Sequence, residues 1–304
     1  PSLKYNFTMI DCIRMYATNV EARKSTRDSM IVGDLELFGI RNSRDGMVYK
    51  YELEFQNLKF TFIPSDDALL KISNSLQKAA TGNNYMPSKL TDLIFVLESI
   101  TRLTKVSLDR FIITSMEVGF SFRVPFEVTN FLSNFSYYST TLPAAMKEGV
   151  HDYGVKYYLS HYSIKLYDKS WEVRKKGENP NVPLDIIRVE VNLKRTKLHD
   201  LVRVASMLGD VNTLKLLYTS LNKMIDKIVI LDSVDTSHLD KRDLMLFFAG
   251  ENIEYWKRMK SLNNDAQKYL RKKYREIINS CVKKDFKQTL LKCLDGAFEY
   301  FMNN

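Results

Sequence analysis

The sequence predicts an α+β fold: an antiparallel sheet with helices on one face, followed by an all-α C-terminal region. Three observations carry this. Apolar and polar residues alternate through the first two-thirds of the chain, as in Ser115-Met-Glu-Val-Gly-Phe-Ser-Phe-Arg123, which is the period of a half-buried strand. From about Leu198 onward the strand pattern stops, and apolar residues recur at helical spacing. The 304 residues are 45% apolar and 27% charged, with only 11 Gly and 7 Pro, so the chain is expected to fold rather than stay disordered. The change near residue 200 divides the chain into residues 1–197, an α+β domain, and residues 198–304, a helical basic domain.

Each element has its own signal. Met9–Tyr16 reads as a strand. Met47–Ile63 alternates through Tyr49, Tyr51, Leu53 and Phe55, then Leu58, Phe60 and Phe62, and predicts a hairpin turning at Gln56-Asn57. After Pro87, Ser88 suits an N-cap for a helix with the apolar stripe Leu90, Leu93, Ile94, Leu97 and Ile100. Phe111–Arg123 is a strand with Met116, Val118, Phe120 and Phe122 on one face, and a short helix burying Val128, Phe131 and Leu132 follows. Val155–Lys169, turning at Ser160-His161, and Ile186–Lys194 are two further strand regions. His199–Asn222, Lys241–Phe248, Asn252–Met259 and Ala266–Phe301 read as helices.

Charge points to a partner. The net charge is +9, and residues 255–293 hold twelve Lys/Arg against three acids, so the rest of the chain is close to neutral. A compact cationic segment on a neutral body suits a polyanion, most simply nucleic acid. Lys257, Arg258, Arg271, Lys272, Lys273 and Arg275 are the candidate phosphate contacts. The competing reading is a solvated face that serves solubility. Cys12, Cys281 and Cys293 are far apart and form no CxxC pair, which argues for a reducing, cytoplasmic location and against a zinc site. No apolar run approaches the roughly 20 residues of a membrane span, and the N-terminus carries no signal-peptide core. No Gly-rich phosphate loop or Ser-His-Asp arrangement is present, so no small-molecule cofactor is expected.

Three strands put unusual content on their polar face. Glu117 shares it with Ser115 and Arg123, Glu190 with Arg188, Asn192 and Lys194, and Lys165 with Ser163, Tyr167 and Lys169. Carboxylate oxygens suit Mg²⁺ or Mn²⁺, and lysines beside such an ion suit phosphate chemistry. A cross-strand salt-bridge network would give the same pattern. An even-length turn at Ser160-His161 pairs Tyr158 with Ser163 and Lys156 with Lys165, bringing Tyr158 to the polar face; an odd-length turn reverses this.

These residues resemble a family. Tyr162-Ser-Ile-Lys-Leu-Tyr-Asp-Lys-Ser-Trp-Glu172 and Ile187-Arg-Val-Glu-Val-Asn-Leu-Lys194 are similar to consecutive motifs of replication initiators from filamentous phages, the gene II proteins, and from rolling-circle plasmids. Ser115-Met-Glu-Val-Gly-Phe120 and Asn74-Ser-Leu-Gln-Lys…Thr81-Gly-Asn-Asn84 resemble two motifs upstream of these. The resemblance covers residues 70–195 or so. It implies a nickase of origin DNA, single-stranded or supercoiled, that uses a tyrosine nucleophile with Mg²⁺ or Mn²⁺ and primes replication from the freed 3′-OH. On this basis Glu117 and Glu190 are the metal carboxylates, Lys165 and Lys169 the family's lysines, and Arg188 and Lys194 accompany the DNA-binding set. Tyr158 is the first candidate nucleophile by facing and Tyr153 the second by spacing. The chain lacks the family's His-x-His pair, since its histidines are His151, His161, His199 and His238. Two alternatives stay open: a DNA-binding initiator or regulator of a mobile element that never cuts, and a protein-interaction module with a basic helix. A homodimer is also left open.

Overall fold

Apolar residues at every second position build most of the N-terminal two-thirds into strands. In the computed structural model, which describes residues 9–85, 88–139, 141–179, 181, 183–198, 200–231, 235–262, 264–281 and 286–303, the chain begins with strands β1 (Ile10–Ala17), β2 (Arg23–Thr26), β3 (Ser29–Val32), β4 (Leu35–Arg41), β5 (Val48–Phe55), β6 (Leu58–Ile63) and β7 (Leu69–Ser75). Helices α1 (Leu76–Thr81) and α2 (Leu90–Thr104) follow, then β8 (Ile112–Arg123), α3 (Val128–Ser133), β9 (Phe135–Tyr138) and β10 (Ala144–Glu148). Next come β11 (His151–Tyr158), β12 (Tyr162–Asp168), α4 (Lys169–Lys175), β13 (Ile186–Lys194) and α5 (Arg195–Leu198). The remainder is α6 (Val211–Asp226), β14 (Ile228–Ile230), α7 (Lys241–Gly250), α8 (Ile253–Leu262), α9 (Asn264–Cys281) and α10 (Phe286–Asn303).

Among the described residues twelve strands form one sheet in the order β10-β11-β12-β13-β8-β1-β7-β6-β5-β4-β3-β2, and β14 pairs with β9 apart from it. Neighbouring strands are antiparallel throughout. The architecture is therefore α+β, with a large antiparallel sheet and a helical C-terminal region. On the apolar face, Met116, Val118, Phe120 and Phe122 of β8 are fully buried, each worth roughly 1.5–3 kcal/mol relative to exposure. Tyr218 of α6 meets Phe120 edge-on at 6.2 Å and stacks on Phe298 of α10 at 4.2 Å. One apolar core thus runs from Met9 to Phe301, and a smaller one gathers Phe247, Trp256, Tyr274 and Ile278 of α7, α8 and α9. Among the described residues no helix is long and apolar enough to cross a membrane.

The helical boundaries differ from the sequence reading in several places, three of them for a clear physical reason. The helix expected over 199–222 starts only at Val211, where Asp210 accepts from the Thr213 amide at 2.8 Å. The residues before it are drawn to β8, with Ile113 N–H donating to Arg203 O and Ala205 N–H to Phe111 O, both at 3.0 Å. Over the helix expected at 266–301, the described residues form α9 and α10, with 282–285 outside the described residues, and the two halves bury their stripes on different partners. Tyr274, Ile277 and Cys281 of α9 face the smaller core, whereas Leu290, Leu294 and Phe301 of α10 face the sheet. Finally, α2 opens one residue later than a Ser88 cap would place it, with Asp92 accepting from the Lys89 amide at 2.8 Å; Pro87 lies outside the described residues.

Candidate active site on the polar face of the sheet

The register puts the expected charges on one face. Tyr158 pairs with Ser163 and Lys156 with Lys165, so the turn has the even length that brings Tyr158 to the polar side. Lys165 pairs with Glu190, Tyr167 with Arg188, and Asn192 with Glu117. Two glycines on this face let neighbouring strands close up. A Cβ at Gly119 would lie 2.3 Å from the Val189 carbonyl oxygen, and one at Gly154 would lie 2.4 Å from Tyr167 Cβ. No side chain is tolerated at those contact distances, so glycine sets the floor beneath Glu190 and Tyr167.

Glu117 and Glu190 are brought together, with the Lys165 ammonium between them. Its Nζ donates to Glu190 Oε1 and, at 3.2 Å, to Glu117 Oε1. Burial alone would lower the Lys165 pKa, but Glu190 and Glu117 raise it. Burial alone would likewise raise the Glu190 carboxyl, yet Arg188 and Lys165 pull it down to about 2. Two carboxylates this close need a cation, and here a side chain supplies it.

Arg188 is the anchor of the network. It was expected to contact nucleic acid, and this is corrected: it is fully buried. Its Nε donates to Glu190 Oε2 at 2.8 Å, Nη2 to Asp11 Oδ2 at 2.9 Å and Nη1 to Ser121 Oγ at 3.1 Å. A guanidinium keeps its charge when buried, so its placement requires these acceptors. The Tyr167 hydroxyl adds a bond to Glu190 Oε2 at 3.4 Å, and burial followed by Glu190 raises its pKa.

Asp11 is the residue that sequence reasoning missed. A register shift between Ile10 and Ile13 against β8 allows neighbours Asp11 and Cys12 both to reach the polar side. Asp11 accepts from Ser75 Oγ, from Arg188 and, at 3.4 Å, from Asn84 Nδ2. The available signal was a carboxylate inside the apolar run Met9-Ile-Asp-Cys-Ile13. Carboxylate oxygens of Asp11 and Glu117 and the Cys12 sulfur lie within 4.8 Å of one another. Crowding by the surrounding protein, and then Asp11, Glu117 and Glu190, push the Cys12 thiol up to about 12, although its side chain reaches solvent.

Lys169 does not continue β12. Asp168 accepts from the Trp171 amide at 2.8 Å and caps α4, so Lys169 is that helix's first residue. It is buried against Glu172 Oε2 at 2.6 Å and Asn84 Oδ1 at 3.1 Å, and burial, then Arg188, lower its pKa. Beside it, Tyr153 stacks on Trp171 at 4.7 Å and meets Tyr167 edge-on at 6.3 Å. Tyr158 is different: 63% exposed at the open end of β11, with Lys156 Nζ 4.4 Å from its ring centre. It lies in one cross-strand row with Ser163, Asn192 and Glu117, three strand spacings or roughly 14 Å from Glu117 along the backbone. Lys194 is exposed at the same end of the face.

The basic helices are less uniform than their sequence. Lys257, Arg258, Lys272 and Arg275 are exposed. Lys257 pairs with Glu254 at 2.6 Å and Lys273 pairs with Asp243. Arg271 turns inward, donating from Nη1 to Ser139 Oγ at 3.1 Å with its guanidinium 5.4 Å from the Trp256 ring centre.

No protein-family model matches the chain, and no curated protein matches its sequence. Among solved structures, it is similar to the rolling circle replication initiator protein from Geobacillus stearothermophilus, with a TM-score of 0.43 and 12% identity over 76% of this chain and 88% of that one.

Proposed function

We propose that the polar face of the sheet is a DNA-nicking site and that the protein initiates replication by cutting single-stranded or supercoiled DNA. The observation that carries this reading is the gathering of Asp11, Glu117, Glu190 and Lys165 on the same sheet face as an exposed tyrosine, Tyr158. The motif resemblance across β8, β12 and β13 supports it.

Glu117 and Asp11 have carboxylate oxygens close together and would hold a hard divalent ion, Asp11 exchanging its bond from Ser75 or Asn84 for the metal. Both oxygens of Glu190 are committed to Lys165, Arg188 and Tyr167, so it serves as their counter-charge. Cys12 offers a soft sulfur, which Mg²⁺ and Mn²⁺ disfavour relative to carboxylate oxygen. When bound, Mg²⁺ or Mn²⁺ would polarise the scissile phosphate. The chain's own residues do the rest. Lys165 holds a fixed positive charge toward the phosphate oxygens. Arg14, Lys71 and Lys194, exposed on the same face, hold backbone phosphates. The Tyr158 oxygen attacks phosphorus and gives up its proton to solvent. The 3′ oxygen leaves and is protonated, so a 5′-phosphotyrosine and a free 3′-OH result. Tyr153, clamped between rings, is the second candidate.

The test incubates protein, Mn²⁺ and internally labelled single-stranded DNA, then looks for label that stays with the protein through denaturing electrophoresis. Tyr158→Phe abolishes the adduct and Tyr153→Phe leaves it. Tight binding without any adduct would favour the second reading, a DNA-binding initiator that does not cut. One observation favours that reading already: Lys165 and Arg188 satisfy the carboxylates from within the protein.

A further inference from the structure

A second site lies among the C-terminal helices. Between the end of α6, β14, α9 and the start of α10 is a cavity of about 410 Å³, within the range of small-ligand sites. Ile278, Phe286 and Leu291 give it apolar walls, and Lys227, Arg275 and Asn279 give it a polar side. The one acid lining it among the described residues, Asp226, is held by Lys287 at 3.4 Å. A much smaller recess, about 10 Å³ and so room for roughly one water, shares Lys227, Tyr274 and Arg275 with this cavity and adds Tyr137, Ser139 and Arg271, with no carboxylate in its lining among the described residues.

Arg271 is the telling group. Among the described residues only its Nη1 is bonded, to Ser139; Nε and Nη2 are buried with no partner there. An unmet buried donor carries a desolvation cost, and guanidinium cannot escape it by losing its proton. The planar fork of an arginine matches two oxygens of a phosphate. Tyr137, with a hydroxyl pushed up to about 12 chiefly by burial, remains a neutral donor beside it. Cations alone would suit any small anion, and apolar walls alone any greasy ligand. Their adjacency suits a molecule that is both.

We propose that the cavity binds a nucleotide, its base along Ile278, Phe286 and Leu291 and its phosphate on Arg275 and Lys227, with the adjoining recess widening to bring that phosphate onto Arg271. The site shares no residue with the polar face of the sheet and does not rest on the nicking reading.

Trp256, against which Arg271 stacks, is the reporter. The chain has two tryptophans, so Trp171→Phe leaves Trp256 as the sole emitter. Titration of that full-length protein with ATP should change its emission saturably, with inorganic phosphate and adenosine each binding at least about tenfold more weakly. In the same background Lys227→Gln, at an exposed position, should weaken ATP binding several-fold, and Arg271→Lys should weaken it although charge is kept. A 5′-phosphorylated oligothymidylate that displaces ATP identifies a DNA end as the source of the nucleotide; one that does not identifies a free nucleotide. No saturable response to ATP, equal affinity for ATP and phosphate, or ATP binding untouched by both substitutions would overturn the proposal. Loss of nicking by Tyr158→Phe with ATP binding intact would bear on the sheet site alone.

Discussion

The sheet face and the basic helices hold their charges in opposite ways. On the sheet, Arg188, Glu190 and Asp11 are buried and bonded to one another. On α8 and α9, Lys257, Arg258, Lys272 and Arg275 stand in solvent. The helices dominate the chain's net charge of +9, yet the charges that cost most to place are on the sheet, where the network nearly neutralises itself. Net charge reports what a partner feels at a distance; burial reports what the fold depends on. The two regions should therefore respond to substitution in opposite ways.

The largest effect should come from Arg188→Met. It removes the guanidinium but leaves the carboxylates of Asp11 and Glu190 buried. Breaking a buried pair from one side costs about 3–5 kcal/mol, and here one side chain serves two acids. Urea unfolding should show that loss. An unchanged midpoint would mean that the network is open to water and that the contrast between the two regions is one of geometry only.

Glu190→Gln sharpens the comparison through pH. The folded Glu190 carboxyl sits at about 2, below its ordinary 4.5. A depressed pKa contributes stability that is complete above the ordinary value and is lost as pH falls toward the folded one. Wild-type protein should therefore lose stability steeply between about pH 4.5 and pH 2. Glu190→Gln should be less stable at neutral pH and flatter over that window. Equal slopes in the two proteins would remove Glu190 as the source of the acid sensitivity.

Much of the sheet was legible in the sequence because period-2 alternation survives wherever one face is buried. The facing of Glu117, Lys165 and Glu190 followed from parity alone, whereas the hairpin at Ser160-His161 left the facing of Tyr158 open until the register with Ser163 fixed an even turn. Asp11 was not legible, since a register shift breaks the parity rule at that residue. Lys169 was misplaced for a related reason: Asp168 caps a helix through the Trp171 amide, a local bond that alternation cannot report. The inward turn of Arg271 was hidden as well. A sequence gives the charge of an arginine, whereas Trp256 and Ser139, distant in the chain, decide where the guanidinium goes.

The smallest effect on the fold, and the sharpest on binding, should come from the helices. Lys257, Arg258 and Lys272 are exposed, and the Lys257–Glu254 pair at 2.6 Å is of the surface kind that contributes little. Reversing all three to Glu should leave the thermal midpoint nearly unchanged. If these side chains meet DNA phosphates, affinity should fall for every sequence alike, because phosphate contacts carry no base information. The salt dependence should weaken too, since each lost contact lowers the slope of log K against log salt by roughly 0.7–0.9; three contacts predict a drop of about 2–3. Arg271 and Lys273 are left out of this triple deliberately: the first is packed on Trp256 and the second is paired with Asp243, so their reversal would mix folding with binding. A triple variant that keeps wild-type affinity and slope would assign the exposed charges of α8 and α9 to solubility. DNA binding would then rest on the open end of the sheet, where Arg14, Lys71 and Lys194 are the exposed cations to reverse next.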